Sequence, residues 1–362
     1  MSDASALRTI CLLRTSALGD VTHVVPLVHT LRTALPEVRL TWIVGRLEHR
    51  LVGDLPDVEF VVFDKGLGVD GFRSVWLALE GRRFDALLHM QVALRANLLS
   101  LGIHARRRIG YDAARAKDLH GLTINERIPA RRGQHVLDAI GSFAEPLGLQ
   151  PMRPRWGIPI PVEAQAWAAE PLPGADPWLL INPASSHVLR NWSAAGYAAV
   201  ADHAQLSLGW RVALTGGPSR LERQLGDAIR LRMRTAPLDL IGRDTIKRAL
   251  ALYARATALL TPDAGPMHMA NAVGTPVIGL HAASNPARSG PYSDRRWCVD
   301  RYAAAAQKFL GRAVEDIAWG TKIERPGVMD LIRVEDVIER LEALDLERRQ
   351  GTLPRRAPGR EP

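Results

Sequence analysis

Cysteine is scarce in this chain of 362 residues: Cys11 and Cys298 are its 2 cysteines. That excludes a disulfide framework and a cysteine-rich metal site. Cys11 falls inside an apolar run and reads as a small core residue, and the expected compartment is reducing, the cytoplasm. Long hydrophobic runs are missing too. Nowhere do about 18 apolar residues follow one another, the length a membrane-spanning helix needs. The opening MSDASALRTICLLRTS has no signal-peptide pattern, because its apolar run is short and Arg14 interrupts it. No Walker A or GxSxG sequence occurs, and no histidine spacing suits zinc, so no metal site and no cofactor are expected. The remaining composition, 47% hydrophobic and 23% charged, is that of a soluble globular protein long enough for two domains.

Charge is not balanced. The net charge of +9 favours anionic partners: nucleic acid, acidic headgroups or phosphorylated substrates. Arginine-rich composition also accompanies GC-rich genomes, and here the charge is spread rather than massed. Local clusters occur at Arg106–Arg108, at Arg131 and Arg132, and in the tail ERRQGTLPRRAPGREP. Proline, glycine and arginine without apolar residues predict a disordered basic tail over 348–362.

The first half alternates strand and helix. Buried-type apolar runs predict strands at Thr9–Leu13, Leu40–Val44, Phe60–Phe63, Ala86–Met90 and Arg108–Ile109. Helical patterns fall at Val21–Ala34, Phe72–Leu79, Leu94–Leu101 and His135–Leu147. Seven prolines between Pro151 and Pro177 then mark a linker over 161–177, with a short helix at Val162–Ala169. Alternation restarts with strands at Trp178–Asn182, Val212–Thr215, Leu238–Ile241, Ala258–Leu260 and Val277–Leu280. Helices are predicted at Ala194–Leu206, Leu221–Arg232, Ile246–Arg255 and Met267–Val273, and an amphipathic C-terminal helix over 333–347. The expectation is an α/β protein of two doubly wound, Rossmann-like domains, 1–160 and 178–332, facing across a cleft at their strand C-termini.

Four strand-to-helix turns carry chemistry. In LLTPDAGPMHMANAVG the proline Pro266 suits a first helical position and Gly265 lets a ligand approach the backbone, which makes the helix start an anion site. Asp263 precedes the helix and can bond sugar hydroxyls, His268 lies one turn in, and a plain Asp-Gly turn is the bland alternative. In LLINPASSHVLRNWSAAGY, Ser185, Ser186 and Arg190 suit phosphate oxygens, against a helix cap at Ser193 and a solvent-facing arginine. In LTGGPSRLER, Gly216 and Gly217 follow a strand, and Glu222 could take both hydroxyls of a ribose or serve only as a dipole partner. The first turn, RTSALGDV, has the shape of a phosphate loop but places Asp20 at the helix start, where a carboxylate repels phosphate and suits an N-cap. His23 and His29 on the same helix read as packing or surface residues.

In this order the motifs resemble the bacterial lipopolysaccharide heptosyltransferases, glycosyltransferase family 9, a family of GT-B fold that uses ADP-heptose. The resemblance runs from about Thr9 to Leu344. It rests on RTSALGDV, RRIGYDAARAK, HVLDAIGSFAEPLG, NPASSHVLRNW and PDAGPMHMANAVGTPVIGLHAASNPARSGPY. It implies that Asp20 is the catalytic base, that Ser185, Ser186 and Arg190 hold the donor diphosphate, and that Glu222 holds the ribose. It also implies donor contacts at Gly217 and from Asp263 through Ala264, Gly265 and Pro266 to His268. Arg190 stands where lysine is common, and the two are not equivalent on phosphate. Ala264 stands where a hydroxyl residue is usual, so only the backbone amide remains there.

The implied reaction is inverting, metal-independent transfer of heptose from ADP-heptose to a lipid A-core saccharide. Asp20 would take the acceptor proton, while Arg190 and the amides near Gly265 would stabilise the departing diphosphate. Arg46, Arg50, Arg106, Arg107, Arg115 and Lys117 could meet an anionic acceptor. The expected protein is a monomer, peripheral at the inner face of the bacterial inner membrane, without a nucleic-acid partner. Alternatives are a relative with another nucleotide-sugar donor, a nucleotide-sugar epimerase of the same architecture, and a basic nucleic-acid- or membrane-binding module.

Overall fold

The computed structural model describes residues 7–353, which divide into two compact units at Pro159 and Ile160. In the first, β1 (Thr9–Leu13), α1 (Leu18–Ala34), β2 (Arg39–Gly45), α2 (Arg46–Val52), β3 (Val58–Phe63), α3 (Val69–Ala78), β4 (Phe84–His89), α4 (Leu94–Ser100), β5 (Ala105–Gly110), β6 (Glu126–Arg127) and α5 (Val136–Gly141) follow one another. The second has α6 (Val162–Ala169), β7 (Trp178–Ile181), α7 (Ala194–Leu206), β8 (Arg211–Leu214), α8 (Arg220–Arg230), β9 (Leu238–Asp239), α9 (Ile246–Arg255) and β10 (Ala258–Pro262). It continues with α10 (Gly265–Ala272), β11 (Val277–His281), α11 (Pro286–Ser289), β12 (Val299–Asp300), α12 (Tyr302–Leu310) and α13 (Val334–Gln350).

Each unit holds a six-stranded parallel sheet, ordered β3-β2-β1-β4-β5-β6 and β12-β11-β10-β7-β8-β9. Numbered within its own unit, each reads 3-2-1-4-5-6, the doubly wound order whose ligand crevice opens where the winding reverses. That reversal lies between β1 and β4 in the first sheet and between β7 and β10 in the second. The central strands are largely apolar because helices cover both faces: Ile10, Cys11, Leu12 and Leu13 are buried in β1, and Leu179, Leu180 and Ile181 in β7.

Several expected boundaries move. The segment expected as a linker belongs to the second unit. Its helix α6 buries Ala164 and Ala168, Trp167 lies under the Arg248 guanidinium at 4.8 Å, and Arg255 donates to the Leu172 carbonyl at 2.9 Å. The helix expected over His135–Leu147 tightens after Gly141 into a 3-10 turn, Ser142–Leu147, around Pro146, which has no N–H to continue the α pattern. The last helix runs on to Gln350, past the expected start of the disordered tail, because Arg348 and Arg349 pair with the buried Asp345 at 2.8 and 2.7 Å. The rest of that tail, 354–362, lies outside the described residues.

Candidate functional site

The first centre lies at the reversal point of the first sheet. After β1 the chain turns over Arg14–Ala17, and Gln91, just beyond β4, braces the turn. Its Oε1 accepts from the Thr15 amide at 2.8 Å and the Thr15 hydroxyl at 3.0 Å, while its Nε2 donates to Ser16 Oγ at 3.1 Å. Helix α1 starts at Leu18, earlier than the sequence suggested, so the N-cap is Ala17 and not Asp20. Asp20 occupies the third helical position and accepts from the Ala17 amide at 3.2 Å, the acidic half of a capping box. Arg14 Nη2 reaches the same oxygen, Oδ2, at 2.5 Å. The Arg14 side chain is 15% exposed and that of Asp20 40%, so a largely buried cation orients a carboxylate that solvent and ligands reach. Burial works against the Arg14 charge, but the charge and hydrogen bond of Asp20 outweigh it and hold the guanidinium above its ordinary pKa.

A second carboxyl, Glu48 on α2, is buried behind this turn. A β-carbon on Gly45 would meet its Oε2 at 2.3 Å and the Thr15 carbonyl at 2.2 Å, so only glycine fits there. Burial pushes the Glu48 carboxyl up and the Asp20 charge adds to it, against its own amide and Lys65. The basic residues expected to meet an acceptor divide. Arg46 pairs with Asp64 at 2.9 Å, Arg107 with Glu126 at 2.7 Å, and Arg115 with Asp112, so these cations already have partners. Arg50, Arg106 and Lys117 are exposed. His23 is buried with its ring 5.8 Å from that of His135, and His29 bonds the Trp156 carbonyl.

The second centre repeats the arrangement in the second sheet. The loop after β7 carries Ser185, Ser186 and Arg190, and Ser193 caps α7 by accepting from the Gly196 amide at 3.0 Å. Arg190 does not face solvent as the bland reading had it, since its side chain is 12% exposed. Its Nη2 donates to Ser186 Oγ at 3.2 Å, its Nη1 to the Asp263 carbonyl at 3.4 Å, and its Nε lies 3.2 Å from Glu324 Oε1. The guanidinium thus ties the β7 loop to the β10 turn. Ser185 turns inward, donating its hydroxyl to the His187 carbonyl at 2.9 Å.

Helix α10 begins at Gly265 with Ala264 as N-cap, so Pro266 takes the second helical position rather than the first. A proline there removes no helical bond, since the first-turn amides have no intrahelical acceptor. Asp263 is buried, and its carboxyl is held below the usual range. Burial opposes ionisation, but the charges of His281, His268 and Lys322 and a hydrogen bond with Ser284 outweigh it. His268 is itself buried on α10. After β8, Glu222 Oε1 accepts from the Gly217 amide at 2.7 Å and Oε2 from the Ser219 hydroxyl, while the Glu222 amide donates back to Ser219 Oγ at 3.2 Å. Asp244, in the loop after β9, is pushed up to about 7, first by burial and then by the charge of Glu222.

The two turns flanking the second reversal point therefore present a guanidinium, a hydroxyl and a helix N-terminus together, a set suited to a diphosphate. Arg14, Gln91, Glu48, Glu324 and Asp244 were not singled out in the sequence. Arg14 alone left a signal, a charge at the end of a strand otherwise buried.

Comparison with known proteins shows the family of the chain. The family described as "Glycosyltransferase family 9 (heptosyltransferase)" matches residues 72–314. The chain is 36% identical over 341 residues to the lipopolysaccharide core heptosyltransferase OpsX of Haemophilus influenzae, covering 94% of this chain and 98% of that one. A glycosyltransferase family 9 structure from Veillonella parvula superposes with a TM-score of 0.78 at 23% identity, over 95% of this chain and 99% of that one. The ADP-heptose lipopolysaccharide heptosyltransferase II of Escherichia coli does so at 0.71 and 18% identity, over 94% and 99%.

Proposed function

The chain belongs to glycosyltransferase family 9, and from that premise we propose that it transfers heptose from ADP-heptose to the inner-core saccharide of lipopolysaccharide, with inversion at the anomeric carbon. The observation that carries the reading is the pair of reversal-point turns: a carboxylate at one, a guanidinium beside a helix N-terminus at the other. Heptose and the lipopolysaccharide core come from the relatives' names. The chemistry assigned to each residue comes from its surroundings.

The second unit takes the donor. The diphosphate lies against Arg190, Ser186 and the first amides of α10, and the negative charge that grows as ADP departs is met there. Glu324 and the Asp263 carbonyl hold the guanidinium in place before the donor arrives. Glu222 addresses the ribose, with Gly217 and Ser219 fixing its rotamer. Asp263 and His268 line the turn from which the sugar is contacted. Ser185 acts on the loop's shape rather than on phosphate, since its hydroxyl is spent on the loop backbone.

The first unit takes the acceptor. Asp20 accepts the proton of the attacking hydroxyl; Arg14 and the Ala17 amide keep its carboxylate aimed. The protein is a cytoplasmic-side enzyme acting on a lipid-borne substrate, and among the described residues no helix is long and apolar enough to cross a membrane.

Transfer is tested by incubating the purified protein with ADP-heptose and a heptose-deficient core acceptor and reading products by mass spectrometry. The reading requires an acceptor heavier by one heptose and release of ADP. An epimerised donor formed without acceptor would place the chain with the epimerases instead. Transfer from a different nucleotide sugar in a donor panel would keep the mechanism and change the substrate.

A further inference from the structure

The second centre is bordered by a stretch that comes late in the chain, after α12. The Ile323 amide donates to the Ala283 carbonyl, just past the C-terminal end of β11, at 2.8 Å. Two residues earlier the Thr321 carbonyl accepts from the Tyr302 hydroxyl at 2.9 Å. Ile323 is 1% exposed and enters the core of the second unit. The stretch 321–325 has neither helix nor turn, and side chains two apart on an extended chain face the same way. With Ile323 turned inward, Lys322 and Glu324 therefore turn out of the core together. Glu324 reaches two residues of the β7 loop: its Oε1 lies 3.2 Å from Arg190 Nε and its Oε2 3.5 Å from His187 Nε2. Lys322 is exposed, and its charge helps hold the buried Asp263 carboxyl below the usual range. Arg288 on α11 lies instead against Gly320, its Nε 3.6 Å from where a β-carbon would sit, and its charge acts on the Tyr302 hydroxyl.

Arg190 alone leaves this site short of positive charge. Its guanidinium already faces the Glu324 carboxylate, and Asp263 adds a second carboxylate one bonded contact away. The N-terminus of α10 offsets about half a charge. Burial holds His281 below its ordinary pKa, so that ring is neutral near neutral pH. A diphosphate entering between these groups brings more negative charge into a site whose own cation is already matched. We propose that Lys322 is the second cation of the donor site, its ammonium meeting the diphosphate oxygens opposite Arg190. β11, β10 and β7 are neighbours in the sheet, and the Ala283 tie, the Asp263 turn and the Arg190 loop all follow their C-terminal ends, so the segment is anchored where the diphosphate lies. That placement rests on the function proposed above. In transfer, the bond from the anomeric carbon to the phosphate oxygen breaks and its electron pair stays on that oxygen. Lys322 meets the growing charge there and keeps its own proton. Arg190 and Lys322 divide the work: Glu324 fixes the guanidinium, while the ammonium supplies charge that no carboxylate has cancelled.

The test is calorimetry of ADP and of adenosine on the full-length protein, for the native chain, Lys322→Met, Lys322→Arg and the control Lys308→Met. Lys308 is exposed on α12 over the Phe309 ring, so its loss removes the same charge from the same unit. Lys322→Met should weaken ADP binding about 10- to 100-fold, the worth of a charge-assisted contact, with adenosine affinity and melting temperature unchanged. Lys322→Arg should restore most of the ADP affinity, and Lys308→Met should match the native chain. With ADP-heptose and acceptor, Lys322→Met should lower kcat as well as raise the donor KM, because the contact strengthens as the nucleotide departs. The proposal is overturned if Lys322→Met binds ADP as the native chain does, or loses adenosine as much as ADP, or if Lys308→Met weakens ADP equally. A native protein that binds neither ADP nor another nucleoside diphosphate also overturns it. ADP binding that depends on Lys322, in a protein that transfers no heptose, would uphold the cation and remove only the functional premise.

Discussion

Asp20 owes its aim to Arg14, and that pairing separates a base from a cap. A carboxylate that only completes a capping box can become an amide at little cost to turnover, because an amide oxygen still accepts from the Ala17 amide. A proton acceptor cannot. Asp20→Asn should therefore lower kcat by about 10²- to 10⁴-fold, the usual worth of a general base, with ADP affinity unchanged by calorimetry. Near-native turnover in that variant would reduce Asp20 to a helix-start residue. Asp244 offers a second measurement. Its carboxyl, raised to about 7 by burial and then by Glu222, keeps its proton in the folded chain after the unfolded chain has lost it near the ordinary value of 3.8. Its contribution to stability is thus greatest below about pH 4, falls as pH rises through about 7, and is flat above. Asp244→Asn should raise the melting temperature at about pH 8 and change it least at about pH 4. An equal shift at both would mean that the carboxyl does not titrate in that window. At this scale the sequence exposed the residues that lie inside the turns: Asp20, Ser186, Arg190, Glu222 and Asp263. It concealed their partners, because Glu324 meets Arg190 and Asp244 meets Glu222 only once the chain has folded.

Strands of the sheet centres were legible because both of their faces are buried and their apolar runs are unbroken. Edge elements were not. β6 spans only Glu126–Arg127 and exists because β5 offers Ile109 and Gly110 to pair with it, which no local pattern announces. α2 follows β2 without a loop and carries Arg46, Glu48, His49 and Arg50 in seven residues, too polar and short to show a stripe. α12 buries Ala305 and Ala306, and a methyl group adds little contrast to a periodic pattern. Helix starts were displaced for a related reason: Ala17 and Ala264 cap without side-chain bonds, so Asp20, which favours a cap, and Pro266, which favours a first helical position, drew the expected boundaries to themselves. The C-terminal helix α13 was legible as amphipathic, but its weight in the fold was not. Val337, Leu341 and Leu344 enter the core of the second unit, and Asp345 accepts from Trp210 Nε1 at 2.8 Å. Leu341→Ala should accordingly cost about 2–5 kcal/mol in chemical denaturation, the range for a buried leucine. A loss under about 0.5 kcal/mol would mean that α13 is a surface appendage.

The whole chain builds one architectural idea twice. Each unit winds its sheet in the same order, and each places its reactive turn beside the strand where the order reverses. The chemistry of the two turns is opposite in sign. The first ends β1 with a carboxylate at the start of α1, which disfavours phosphate. The second follows β10 with glycine and proline at the start of α10 and swings Arg190 onto the turn, which favours it. Donor nucleotide alone should therefore act on one unit. With ADP and no acceptor, hydrogen exchange followed by mass spectrometry should slow in peptides covering 183–190, 216–222 and 263–268, where Arg190, Glu222 and the first amides of α10 lie. Peptides covering the 14–20 turn should exchange as in the free protein. Adding the acceptor should then slow exchange at 14–20, because only a ligand that offers a hydroxyl in place of a phosphate suits a carboxylate there. Protection of the 14–20 turn by ADP alone, with none at 263–268, would reverse the assignment of the two units, leaving the shared strand order intact but removing the electrostatic reason given for dividing donor from acceptor.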